Sequence, residues 1–280
     1  MRVQVRDVRL YFDVAGMGLV PDGAAMRERP VLICLHGGPG FDHSLMKETF
    51  SPLADLAQVV LPDQRGNGRS DWSTTDRWTL DTWIDDVPAF CEALEIERPV
   101  LLGGSFGGFV ALGVAGRYPE LPAKLVLLST AARFLPERAL AMFERLGGAE
   151  ARDVAARYFE HPNLETREAY QRICLPLYNP GPPDPEAFAR VVKHHEVGVH
   201  FWTNQLPELD LSGEASRVRC PTLILGGELD PLATPADLEE LAAAIPGSQL
   251  TIVPGTGHGL RNKPDEAAAS VRRFLTADTS

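Results

Sequence analysis

The chain has 280 residues, with 27 Lys and Arg against 38 Asp and Glu, and so carries a formal charge of −11 near neutral pH. A surface this acidic repels phosphates on average and argues against a nucleic-acid partner. The 44% hydrophobic and 23% charged residues belong to a folded chain, long enough to bury a sizeable core around one sheet.

Charges at Arg2, Arg6, Asp7 and Arg9 interrupt the N-terminus. The uninterrupted apolar run of a secretory signal is therefore missing, which predicts a cytoplasmic location. Val3, Val5, Val8, Leu10, Phe12 and Val14 fall near period two with a slip at Asp7, the pattern of two antiparallel strands joined by a tight turn. From Val31 onward, short continuous apolar runs appear, each ending in or just before a turn-forming residue or His36. They are VLICL before His36, QVVL before Pro62, VLL before Gly103, KLVLL before Ser129, TLIL before Gly226 and LTIV before Pro254. Such runs are expected of strands buried on both faces. Helical stretches separate them at Leu80–Leu94, Phe106–Arg117, Ala236–Ala244 and Glu266–Leu275, the last with Pro264 suited to its start. Strand and helix in alternation predict an α/β fold with a mostly parallel central sheet flanked by helices.

The alternation stops between Ala131 and Val218. Helix-like pieces at Glu137–Leu146, Ala149–Phe159, Thr166–Cys174 and Pro185–His195 surround the Pro-rich run from Pro176 to Pro185. The expected organisation is a core of residues 1–130 and 219–280 with a helical cap inserted over 131–218. The longest uncharged stretch, Val100–Gly116, holds six glycines and is too short and glycine-rich to span a membrane. Cys34, Cys91, Cys174 and Cys220 are scattered without a CxxC pair, as expected of reduced core thiols; no metal site is read from them. His194, His195 and His200 lack the HExxH spacing of a zinc helix and are read as part of a solvated cap face.

The strongest local signal is Gly103-Gly104-Ser105-Phe106-Gly107, directly after one apolar run and directly before a helical one. A serine at a strand-to-helix turn projects its hydroxyl from a strained elbow, which makes Ser105 the candidate nucleophile. A serine hydroxyl needs a histidine base, and the histidine needs a carboxylate to fix its tautomer. Asp230 follows the run TLIL and His258 follows LTIV. Both would lie beyond the carboxyl ends of parallel strands, where sites in such sheets form, and Glu228 is the fallback acid. The candidate oxyanion donors are the backbone amides of Phe106 and Gly38, with Gly37 a possible substitute, because preset N–H groups cost no reorganisation. His36 is read as a buried hydrogen-bonding residue.

With HGGPG at 36–40, DQRGNGRS at 63–70, GGSFGG at 103–108, GELD at 227–230 and GTGH at 255–258, the chain resembles the α/β-hydrolase fold family, specifically its proline iminopeptidase branch. The resemblance covers the core and matches the cap only loosely. It implies the nucleophile, acid and base roles for Ser105, Asp230 and His258, and a scaffolding role for Asp63, Arg65 and Arg69. Iminopeptidases hold the substrate's α-ammonium with acidic residues, one of them commonly just after the catalytic aspartate. Here Pro231 stands after Asp230, and the corresponding cap segment, Val197 to Trp202, carries no carboxylate. Glu160, Glu196 and Glu208 are the cap carboxylates that could compensate.

The expected activity is therefore serine hydrolysis of a small ester, lactone or amide, with Phe41, Phe106, Phe201 and Trp202 as candidate pocket walls. The expected partner is a small-molecule or short-peptide substrate, with neither membrane nor cofactor required. A prolyl aminopeptidase is the first alternative. A non-turnover binding protein and a cofactor-free perhydrolase on the same fold are the others.

Overall fold

A computed structural model describes residues 1–182 and 184–277. The strands are β1 (Arg2–Val5), β2 (Val8–Ala15), β3 (Leu19–Asp22), β4 (Ala25–Glu28), β5 (Val31–Leu35), β6 (Gln58–Pro62), β7 (Val100–Gly104), β8 (Lys124–Leu128), β9 (Thr222–Gly227) and β10 (Gln249–Val253). Eight of them form one sheet in the order β1-β2-β6-β5-β7-β8-β9-β10, while β3 and β4 pair as a separate hairpin. The pairings β1/β2 and β2/β6 are antiparallel and the rest of the large sheet is parallel. This is the mostly parallel α/β sheet that the alternating runs predict, in the form that the α/β-hydrolase resemblance implies.

The uninterrupted apolar runs follow from burial on both faces. In β5, Ile33 and Leu35 join one apolar layer while Leu32 and Cys34 join the other. Helices α2 (Leu80–Ala93), α3 (Phe106–Arg117), α8 (Ser212–Ala215) and α9 (Pro235–Ala244) supply the first layer. Helices α1 (Ser44–Phe50) and α10 (Pro264–Thr276) supply the second. Cys34, Cys91 and Cys174 are buried free thiols, and burial pushes those of Cys91 and Cys174 up to about 12.

Between β8 and β9 the described residues form the helices α4 (Pro136–Glu160), α5 (Leu164–Ile173), α6 (Pro185–Arg190), α7 (His195–Asn204) and the four-residue α8, besides short 3-10 turns and one isolated bridge between Arg133 and Asp210. Phe143, Ala151, Ala155, Tyr158, Tyr170 and Cys174 give α4 and α5 a small apolar cluster of their own. The two pieces expected at 137–146 and 149–159 are one helix with a break at Gly148 (φ 75°).

The helix expected over Pro185–His195 is corrected. It ends at Arg190, Val191 is extended (ψ 126°), and a new helix begins at His195. The reason is nonlocal: His194 donates its N–H to Gly40 O (2.8 Å), and its Nδ1 lies 2.9 Å from Gly66 O. Hydrogen bonds to the core hold this link straight. Helix α1 and the β3–β4 hairpin went unread in the sequence. No described helix is long and apolar enough to cross a membrane.

Candidate active site

Ser105 sits between β7 and α3 at φ 52°, ψ −117°, outside the ordinary regions for a residue with a side chain. The glycines around it are required by contact. A Cβ on Gly103 would lie 2.2 Å from Gly107 O, and one on Gly107 would lie 2.1 Å from Leu35 O. The elbow is tied to the next strand, where Ser105 N–H donates to Leu128 O at 2.9 Å. Among the described residues, the amides of Gly38 and Phe106 have no partner in the turn and loop hydrogen bonds.

Asp230 and His258 follow β9 and β10, whose end loops are laced together: Glu228 N–H donates to Val253 O and Leu229 N–H to Thr256 O. Asp230 is fully buried, and both of its carboxylate oxygens lie 2.9 Å from His258 Nδ1. Its Oδ1 also accepts the amides of Leu232 and Ala233. That arrangement places the proton on Nδ1 and leaves Nε2 as the free base. Glu228, the fallback acid, is exposed and accepts the Gly255 amide instead. No hydrogen bond joins Ser105 Oγ to His258, although both face one cavity.

The HGGPG loop is anchored to the loop after β6. Burial holds His36 below the ordinary histidine range, consistent with its Nε2 accepting the Gln64 N–H while Nδ1 donates to Gly37 O. Asp63 accepts the amides of His43 and Arg69, and lies 2.6 Å from His43 Nδ1. Arg65 is buried and forked onto Asp86, and Arg69 pairs with Asp42. Gly68 is demanded here, because a Cβ would meet Asp63 Oδ2 at 2.3 Å.

A cavity of about 330 Å³ opens above Ser105. Gly37, Gly38, Phe41, Phe106, Phe201, Trp202 and His258 line it together with Ser105, and Asp230 stands behind His258. Phe201 packs edge-on against Phe106 at 5.1 Å, and Trp202 stacks on Phe159 at 5.1 Å. The histidine cluster disperses: His194 turns to Gly66, His195 accepts from Arg167, and His200 faces Asn204. Glu160, Glu196 and Glu208 are exposed and do not line the cavity.

Sequence reasoning missed several cavity residues of the helical segment, Tyr158, Arg167, Tyr170 and Tyr178 among them, and Arg261 of the core. Tyr170 and Tyr178 share a 2.9 Å hydrogen bond, and burial keeps both phenols above their ordinary range. Tyr178 also stands edge-on to the His258 ring at 5.1 Å. Asn179 beside it donates to His258 O (2.9 Å) and accepts Arg261 N–H (3.2 Å). The contact is close enough that a Cβ on Gly257 would lie 1.8 Å from Tyr178 O. From the other side, Ser129 Oγ accepts Gly259 N–H at 2.8 Å. The His258 loop is thus clasped between the end of β8 and the helical segment.

Residues 30–260 match the family model of the alpha/beta hydrolase fold, and the chain belongs to that family. It is 26% identical over 286 residues to a Caulobacter sp. (strain K31) protein provisionally named carbamate hydrolase RutD, which covers 97% of each chain. It is likewise 26% identical over 288 residues to proline iminopeptidase PfmaB of Pestalotiopsis fici, covering 98% of each. Among solved structures, proline iminopeptidase of Mycobacterium smegmatis aligns with a TM-score of 0.77 at 26% identity, over 98% of this chain and 97% of that one.

Proposed function

We propose that this hydrolase-family chain cleaves a small ester, lactone or amide through an acyl-enzyme on Ser105. The observation that carries the reading is the fixed imidazole: His258 Nδ1 is held by both oxygens of buried Asp230, in a cavity into which Ser105 projects from a strained elbow. His258 Nε2 takes the Ser105 proton as Oγ attacks the substrate carbonyl. The oxyanion is met by the Phe106 and Gly38 amides, and the imidazolium protonates the leaving group. Water, deprotonated by the same histidine, then attacks the acyl carbonyl, and the proton returns to Ser105. The helices over 131–218 act as a cap whose Phe201 and Trp202, with Phe41 of the core, hold the apolar part of the substrate.

Prolyl aminopeptidase activity is the second reading, favoured by the similarity to proline iminopeptidases. Against it, an α-ammonium needs a free carboxylate. Asp42 is paired with Arg69, Asp184 caps α6, and the cap glutamates point away.

The deciding experiment compares a short-chain p-nitrophenyl ester with proline p-nitroanilide, using wild type and Ser105→Ala. Ester turnover that falls by a factor of about 10⁴ to 10⁶ in the variant, with no anilide cleavage, is the expected result. Efficient anilide cleavage would select the second reading, and ester turnover that survives in Ser105→Ala would overturn the serine mechanism.

A further inference from the structure

The charges lining the cavity do not balance, in an unexpected direction for so acidic a chain. Among the described residues, five charged side chains line it: Asp42, Arg133, Arg167, Asp184 and Arg261. Both carboxylates are engaged, Asp42 by Arg69 and the Ser44 amide, Asp184 by the amides of Glu186 and Ala187. Arg133 pairs with Glu240. Arg167 is buried with no carboxylate partner among the described residues, but Tyr158 OH and His195 Nδ1 take its hydrogens.

Arg261 has neither kind of support. Among the described residues its guanidinium makes no hydrogen bond and no ion pair, and its Nη1 is sealed from solvent. Phe188 covers one face, with the ring centroid 4.6 Å from Cζ. Burial draws it below the usual arginine range, against the through-space pull of Glu48 and Asp184. Glu48 itself is paired with Arg190. The residue as a whole is half-buried, but an arginine stays charged in a protein, and a charged N–H group sealed from water without an acceptor costs free energy. The main chain beneath it is tied, since Arg261 N–H is bound to Asn179, and the residue lies three positions after His258.

We propose that the substrate carries a carboxylate and that Arg261, which lines the cavity, receives it there through a charge-assisted hydrogen bond. This deepens the hydrolase reading above and rests on it for the position of the reacting carbonyl. The carboxylate could end the acyl chain of a half-ester, or be the C-terminus of a short peptide.

The test uses p-nitrophenyl half-esters of diacids from glutarate to suberate beside their methyl-capped neutral counterparts, with uncatalysed rates subtracted. Prolylglycine beside its amide forms the peptide arm. The readout is the ratio of kcat/KM, anionic over neutral, in wild type, Arg261→Gln, Arg261→Lys and the surface control Arg272→Gln. The anionic form should be preferred at one chain length or more. That ratio should fall roughly 30-fold or more in Arg261→Gln, be partly kept in Arg261→Lys, and stay unchanged in Arg272→Gln. A preference confined to the dipeptide would support the subsite and assign it to a peptide C-terminus.

Binding of the free diacids to Ser105→Ala by calorimetry, lost when Arg261→Gln is added, tests the subsite without turnover. Binding without hydrolysis of any ester would therefore sustain the subsite while removing the hydrolase reading. Equal rates for charged and neutral substrates in every arm, or a preference that survives in Arg261→Gln, would overturn the proposal.

Discussion

Beneath the cavity, positions are fixed by backbone. Gly103, Gly107 and Gly68 stand where no Cβ fits, and carboxylates accept amides across loops. Across from it, the helical segment is held by side chains: rings of Tyr158, Phe159, Tyr170 and Trp202 lean on one another at tilted or stacked angles. The difference teaches where tolerance lies. A loop closed by main-chain contacts has one solution, whereas a ring cluster can repack around a changed neighbour at modest cost.

The largest expected effect breaks this comparison at the acid. Asp230→Asn should lower kcat by about 10⁴-fold with little change in Tm, since an amide can still accept the Leu232 and Ala233 N–H groups but orients the wrong imidazole tautomer. Glu228→Gln, in the same loop, should leave kcat within about two-fold. The second test sets one glycine of each region side by side in urea melts. Gly107→Ala should cost upward of ~3 kcal/mol or prevent folding, because its methyl would overlap Leu35 O. Gly148→Ala, at the break in α4 with nothing within 4 Å of the new Cβ, should cost less, ~1–3 kcal/mol, for a backbone conformation that glycine alone adopts readily. Equal losses would erase the distinction drawn here.

A smaller effect probes the seam between the regions. Asn179→Ala removes two hydrogen bonds to the base loop. It should lower kcat about ten-fold, with a stability loss near 1 kcal/mol; an unchanged kcat would mean that the clasp does not position His258. The smallest effect is a pH slope. Burial opposes protonation of His43, but the hydrogen bonds and charges of Asp63 and Asp13 outweigh it and raise its pKa. The stability from this pair is then full below about pH 6.5 and lost as pH rises through the raised value. Denaturant melts across that window should show a decline in wild type that His43→Asn lacks. The phenols of Tyr170 and Tyr178, pushed upward, add nothing to it.

The same division decides what could be read from the sequence. The strands of the eight-stranded sheet and the loops after β5, β7, β9 and β10 were legible because glycine, proline and one polar residue must recur at fixed offsets when backbone passes backbone. The helical segment kept its secrets. An aromatic at helical spacing does not say which neighbour it meets, and the straight link after α6 exists only because His194 reaches Gly40 and Gly66. Arg261 was invisible for a related reason: in the sequence it is one loop arginine among many, and its standing depends on which carboxylates fail to reach it.

Leu128 and Ser129 carry a consequence for modularity. The Leu128 carbonyl holds the Ser105 amide and the Ser129 hydroxyl holds Gly259, so the last turn of chain before the helices belongs to the floor of the candidate site. A chimera that splices in another protein's helices downstream of Ser129 would inherit both tethers intact. A graft joined upstream of Leu128 would carry them away with the old roof and leave Ser105 and the His258 loop to find new moorings.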